Sequence, residues 1–275
     1  MHDRVKTLNI IYCNMNNPAK MLSLIGAGPG DPELITLKAI RILRSAKVVL
    51  YDALVNDALL EHAAPNAIIK YVGKRCSQHS RTQAEINELI VSSAYEYGHV
   101  ARLKGGDPFI FGRATEEIET AALHNIPVQI IPGISSALAV PASQMIPLTS
   151  RGTAESFWVT TGTTAGGTLS PDLKLAAQSS ATVVILMGMQ HLLPITKLFT
   201  AHGKAHTPVA IIQQGTTPME KVATGHIYNI TEVAQAAGIG SPAIIVIGNV
   251  VDLPMHFSHL TTQQLSLHDV HYEIR

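Results

Sequence analysis

Short apolar runs at 21–25, 47–51, 68–72, 100–103 and 127–131 are spaced as strands, each followed by residues that break the run. The segments between them carry a helical period. Leu34, Leu37, Ile40 and Leu43 recur every three residues and predict one apolar helix face. Ile86, Leu89, Ile90 and Ala94 predict another, entered through Thr82-Gln83-Ala84-Glu85, whose Thr and Glu are spaced as a capping box. A further helical pattern runs from 113 to 124, and a short helix of small residues follows 132–136. Strands alternating with helices predict an α/β fold with a mostly parallel sheet. Past a turn at 147–152 the pattern resumes, with strands at 157–161, 182–186, 209–213, 221–224 and 243–248 and helices near 172–178, 190–201 and 229–237. The expectation is two α/β lobes, 21–150 and 151–256, with mostly parallel or mixed sheets. A loose extension (1–20) would precede them and a weakly specified tail (257–275) would follow.

The turns at the strand ends carry the candidate chemistry. The run at 100–103 leads into Lys104-Gly105-Gly106-Asp107-Pro108 and on to Gly112-Arg113. Adjacent glycines at a strand's carboxyl end let a ligand reach the backbone where a Cβ would block it, and that edge is where open α/β sheets bind ligands. Asp107 offers an acceptor there, although an ordinary Gly-Asp-Pro turn fits the local residues equally well. Gly26 to Pro32, with Asp52 at the end of the second run, imitates a dinucleotide fingerprint. A true GxGxxG needs glycine at position 31, where this chain has Asp31 followed by Pro32. A carboxylate then caps the helix where a pyrophosphate would sit, so a nicotinamide-binding oxidoreductase is disfavoured. Asp52 has two plainer roles open to it, capping its own turn or pairing with a nearby base. Arg113 and Glu116, three apart on one helix face, suit either a carboxylate clamp beside a proton acceptor or a surface ion pair. The Gly- and Thr-rich segment 162–170 suits a lid.

Composition narrows the function. With 275 residues, 46% of them hydrophobic, the chain can bury a substantial core. Aromatic residues are only 5%, too few for an aromatic platform that stacks single-stranded nucleic acid. Lys+Arg and Asp+Glu balance at 20 each, against a general polyanion binder. Within 70–113, however, Lys70, Lys74, Arg75, Arg81, Arg102, Lys104 and Arg113 outnumber the carboxylates, as an anionic small substrate would require. Cys13 and Cys76 are isolated and have no zinc spacing, so no metal site is expected and a reducing cytoplasm is the simplest setting. No apolar run is long enough for a membrane span.

The wording of the turns is more specific than their physics. GGDPFIFGR (105–113) closely resembles the signature of uroporphyrinogen-III C-methyltransferases, S-adenosylmethionine (SAM) enzymes of the sirohaem, cobalamin and haem d1 branches. GAGPGDPELITLKA (26–39), VVLYDALV (48–55), VGKR (72–75), HSRTQAEIN (79–87), PGISSALA (132–139) and IPLTSRG (146–152) are similar to the same family in the same order. The resemblance implies a tetrapyrrole-methylase fold with SAM in a cleft between the lobes, a small tetrapyrrole substrate and a homodimer.

By the same resemblance Pro29, Gly105, Gly106, Asp107, Ile110, Ser135, Ser136, Met187, Gly215 and, more weakly, Ala243 match cofactor-contacting positions. Asp52 matches the family's proton acceptor and Lys74 its proton donor, with Glu116 a second candidate base. Arg113 and Arg151 are candidate clamps for substrate carboxylates. Two positions depart from the pattern: Ser150 stands where relatives often have His, and Gln213 where many have Glu. The reaction implied is two successive methylations of uroporphyrinogen III to precorrin-2. The alternatives are a later precorrin, another substrate of the same fold, or a binding module that kept the fold without turnover.

Overall fold

The computed structural model describes residues 19–73 and 81–254. The first sheet is built from β1 (Met21–Gly26), β2 (Val48–Tyr51), β3 (Ile68–Tyr71), β4 (His99–Lys104) and β5 (Val128–Ile131), in the order β3-β2-β4-β1-β5. Every pairing in it is parallel. Parallel sheets need cover on both faces, and alternate residues go to opposite sides. Leu22, Leu24, Leu50 and Val100 pack under α2 (Gln83–Tyr97) and α3 (Ala114–Leu123), while Ile25, Val49, Leu103 and Ile131 pack under α1 (Leu37–Leu43).

The second sheet is mixed. It contains β6 (Phe157–Thr161), β7 (Thr182–Leu186), β8 (Pro208–Gln213), β9 (Lys221–His226) and β10 (Ala243–Ile247), in the order β6-β7-β10-β8-β9. Only β6 and β7 pair in parallel; the others are antiparallel. One face is covered by α5 (Asp172–Gln178), α6 (Leu192–Ala201) and α7 (Ile230–Ala236) around Phe199 and Ile195. The other face packs Ala210, Ile212, Ile244 and Val246 against Val140 and Ile146. Val140 lies on α4 (Ser136–Ser143), which follows β5, so α4 joins the two sheets into one framework.

The expected capping box is present: Thr82 accepts from the Glu85 amide, and Glu85 accepts from the Thr82 amide. The first helix is shorter than its period suggests. Asp31 caps only a 3-10 turn, Pro32–Leu34, and α1 begins later from its own cap, Thr36. That break rotates the helix, so Ala39 and Leu43 are buried while Leu37 is 84% exposed. The expected face through Leu37 is therefore corrected. Residues 1–18 and 255–275 lie outside those described, which leaves nearly all of the extension and all of the tail there.

Candidate functional site

The carboxyl ends of β1, β2, β4 and β5 converge on a cavity of about 560 Å³, closed on its far side by residues of the second sheet. Glycine makes the convergence possible. Gly28 (φ 81°) and Gly106 (φ 66°) take left-handed backbone and pair as an isolated bridge, with the Gly106 N–H 2.7 Å from the Gly28 carbonyl. Gly26 packs against Gly133 so closely that a Cβ on Gly26 would lie 2.5 Å from the Gly133 Cα. The loops after β1, β4 and β5 are thereby drawn into one floor.

Pro29, Asp52, Gly105, Gly106, Asp107, Ile110, Arg113, Ser135, Ser136, Met187, Gly215 and Ala243 all line this cavity. Asp107 is already committed at both oxygens: Oδ1 accepts from the Phe109 amide at 2.9 Å and Oδ2 from the Gly133 amide at 3.0 Å. A carboxylate has about four lone-pair sites, so acceptor capacity remains for a ligand. Ser135 caps α4 by accepting from the Ala137 amide at 3.3 Å. Ile110 (42% exposed), Met187 (52%), Val140 and Ile212 supply apolar wall.

The walls hold unusual backbone. Phe111, Arg113, Met187 and Gln214 all line the cavity and have φ between 48° and 55°, a region that costs non-glycine residues energy and concentrates at functional sites. Met187 is held there by the Thr163 hydroxyl, which donates to its carbonyl at 2.8 Å. The 162–170 segment is tied internally, Thr164 bonding Thr168 through both backbone and side chain. It does not line the cavity.

Asp52 follows β2, one quarter exposed, and performs both of its plainer roles. Its Oδ1 accepts from the Leu54 amide at 3.2 Å and its Oδ2 from Arg102 Nη2 at 3.3 Å. Arg102 in turn donates through Nε to Glu117 at 3.1 Å and through Nη1 to the Leu103 carbonyl at 2.9 Å. Lys104 Nζ lies 3.0 Å from each Glu117 oxygen. Arg102, Lys104 and Glu117 are buried. Burial, then the charge of Arg102, pulls the Lys104 ammonium below the usual lysine range, opposed by Glu117 and Asp52. Two of the cations counted toward a basic cleft are therefore neutralised from within, and the local excess expected from the sequence shrinks.

Glu116 does not reach the cavity. It pairs with Arg113, Nη2 to Oε2 at 2.7 Å and Nε to Oε1 at 2.8 Å, and that bond holds its carboxyl below the usual range. The cause is helix phase. The inward face of α3 carries Ala114, Glu117 and Ala121, which leaves Glu116 on the flank. Its expected place in the cleft is corrected; Glu117, its neighbour, was missed. A charged residue three and four places from two alanines on one face was the available signal, and Arg102 with Lys104 at strand spacing was its complement.

Arg151 is exposed in the turn closed by the Ser150–Ala154 bridge and does not line the cavity. Lys74 lies outside the described residues. Gln213 accepts from the Gly240 amide at 2.7 Å, a backbone role an amide fills well. The Asp31 carboxylate accepts from the Glu33 amide at 2.9 Å, so an N–H that a dinucleotide's pyrophosphate would need is already bonded.

A family model of tetrapyrrole (corrin/porphyrin) methylases matches residues 21–231. A uroporphyrinogen-III C-methyltransferase of Methanocaldococcus jannaschii is 46% identical over 232 residues, 84% of this chain and 96% of that protein. A siroheme synthase of Nitrosomonas europaea is 45% identical over 86% of this chain, which spans only 50% of that longer protein. Among solved structures, a uroporphyrin-III C-methyl transferase from Thermus thermophilus complexed with S-adenyl homocysteine is 38% identical, with a TM-score of 0.72 over 85% of this chain and 99% of that one. A cobalt precorrin-4 methyltransferase is 26% identical, with a TM-score of 0.77 over 85% of this chain and 96% of that one. A signature turn in register, a cavity at the parallel strand ends and this breadth of match lead to one conclusion: the chain belongs to the tetrapyrrole (corrin/porphyrin) methylase family.

Proposed function

We propose that the chain is a SAM-dependent C-methyltransferase that methylates uroporphyrinogen III twice, giving precorrin-2 for sirohaem, cobalamin or haem d1 synthesis. The observation that carries this reading is the cavity between the sheets, floored by Gly105, Gly106 and Asp107, in a chain that covers 96% of a uroporphyrinogen-III C-methyltransferase. About 560 Å³ lies within the range of small-ligand sites, and a few polar groups among apolar walls are their usual lining. SAM fits this donor and acceptor set. Gly105 and Gly106 open the backbone, Asp107 takes an ammonium or hydroxyl, and Ser135 and Ser136 open α4. Pro29, Ile110, Met187, Gly215 and Ala243 complete the walls. SAM supplies an electrophilic methyl group, so positioning does much of the work.

The nucleophile is a pyrrole β-carbon of the reduced macrocycle. As the carbon–carbon bond forms, the methyl–sulfonium bond would break and S-adenosylhomocysteine would leave as a neutral thioether; the positive charge passes to the ring and is discharged by loss of a proton. Asp52 is the base we assign, since it lines the cavity with lone pairs to spare beyond Leu54 and Arg102. Arg113, on the cavity wall, anchors a substrate carboxylate, and Glu116 orients it. Arg151 serves a second carboxylate from the outer turn, and Lys74 is the proposed proton donor. The same reading implies a homodimer working in the cytoplasm. No helix among the described residues is long and apolar enough to cross a membrane.

The test is methyl-labelled SAM incubated anaerobically with uroporphyrinogen III. Label in the tetrapyrrole fraction is expected. Label that stays in SAM, or moves only to protein or nucleic acid, would sink the reading.

A further inference from the structure

Charge in this protein is concentrated in an unexpected place. Glu117, with none of its surface exposed, sits between Arg102 and Lys104 beneath the cavity. A buried ion cluster is a poor way to stabilise a core, because desolvation consumes most of the Coulombic gain and apolar packing does as well or better. The inward face of α3 shows the apolar solution on either side, at Ala114 and Ala121. Glu117 departs from it, and its partners Arg102 and Lys104, nearly buried, both touch the cavity, with Asp52 the more exposed end of the cluster. The Arg102 guanidinium is fixed at all three nitrogens, by Glu117, the Leu103 carbonyl and Asp52. Of the two carboxylates in the cluster, only Asp52 lines the cavity. With two cations and two carboxylates the cluster is neutral.

We propose that Glu117 is a positioning residue: through Arg102 it holds the Asp52 carboxylate at the cavity floor, and against Lys104 it keeps the cluster neutral. This rests on the reading of Asp52 as the base. Without the Glu117 charge, Lys104 loses its ion pair, the only one described for its side chain, and Arg102 keeps Asp52 as its one carboxylate. A buried positive surplus then bears on the group that must accept a proton.

The experiment compares wild type, Glu117→Gln and the neutral double variant Glu117→Gln/Lys104→Met, in single-turnover methyl transfer and in S-adenosylhomocysteine affinity. Loss of the partner behind a metal ligand typically costs ~10–100-fold, and Glu117→Gln, which likewise removes a partner behind a reactive group, is expected to lose a similar factor in rate with its affinity for S-adenosylhomocysteine retained. The double variant should fall between the two, since neutrality returns while orientation does not. A purely structural role predicts no such order, because the double variant removes more of the cluster. Glu117→Gln at the wild-type rate overturns the proposal; should Glu117→Gln not fold, a double variant at the wild-type rate does so instead. A readout independent of turnover is the ¹⁵N signal of Arg102 Nε–H, expected to exchange with solvent more slowly in wild type than in either variant, because an amide oxygen accepts more weakly than a carboxylate. Equal protection in all three proteins contradicts the proposal. If wild type transfers no methyl group, the functional reading fails, and this resonance still decides whether Glu117 holds the guanidinium.

Discussion

The Asp107 carboxylate accepts from the Gly133 amide at 3.0 Å and so joins the loop after β4 to the loop after β5. Its other oxygen holds the Phe109 amide at 2.9 Å, which makes Asp107 a strut of the cavity floor as well as a proposed ligand contact. Hydrogen bonds to charged groups contribute roughly 1.5–3 kcal/mol each. Asp107→Ala should therefore lower both the melting temperature and the affinity for S-adenosylhomocysteine, the latter by about tenfold or more. Asp107→Asn keeps one acceptor and should fall between. Calorimetry and thermal melts decide it; an Asp107→Ala protein that binds and melts like wild type would show that the strut bears no load.

Gly133 makes a related prediction. A Cβ there would collide with the Gly106 carbonyl and come within 2.6 Å of the Gly26 Cα, and both neighbours are backbone that cannot swing aside. Gly133→Ala should cost about 1–3 kcal/mol, as overpacking does elsewhere, and should weaken S-adenosylhomocysteine binding because the floor must open. A melt and a titration that match wild type would contradict the close packing.

The Arg113–Glu116 pair separates substrate binding from stability. Both side chains are exposed, 59% and 43%, so solvent screening leaves the pair worth at most about 1 kcal/mol. Arg113→Ala should raise KM for the tetrapyrrole while leaving S-adenosylhomocysteine affinity and melting temperature near wild type. Glu116→Gln should leave kcat within a few-fold of wild type, whereas Asp52→Asn should lower it ~10²–10⁴-fold as expected for a general base. A large kcat loss in Glu116→Gln with Asp52→Asn unaffected would exchange the two assignments.

Stability should depend on pH through His99, at the amino end of the central strand β4, away from the cavity. Its Nε2 lies 2.7 Å from Ser23 Oγ, which also accepts from Gln129 Nε2 at 2.7 Å. Burial pushes the His99 imidazole below the usual histidine range, opposed by a hydrogen bond to the Ser45 backbone. The unfolded chain, with a histidine pKa near ~6.5, then binds more protons than the folded one between the two values, so stability rises with pH across that window. This contribution is present above about pH 6.5 and lost as pH falls through the folded value. Urea melts across pH should show the slope, and His99→Gln should flatten it. An equal slope in the variant would rule His99 out.

Much of the fold was legible because alternation and turn chemistry act locally. Strands 157–161 and 182–186 stand where the apolar runs placed them, and Thr82 and Glu85 form the box their spacing implies. The cavity's glycines and Asp107 were legible too, since a strand end fixes where a turn points. Leu37 misled because a period of three does not report the break at Ile35 that rotates α1. Glu116 and Glu117 were harder still. Adjacent positions on a helix differ by about a quarter turn, and only the packing of α3 on the sheet decides which one is buried. The bonds of Arg102 cross between elements far apart in sequence, so its partners could be read only from the fold.

The most direct measurement is the mass of the tetrapyrrole after anaerobic incubation of the protein with uroporphyrinogen III and excess SAM. A gain of two methyl groups is expected, with a one-methyl species appearing first and then consumed, and equimolar S-adenosylhomocysteine for each methyl added. A substrate recovered at its original mass, while a later, already methylated precorrin gains a methyl group under the same conditions, would contradict it.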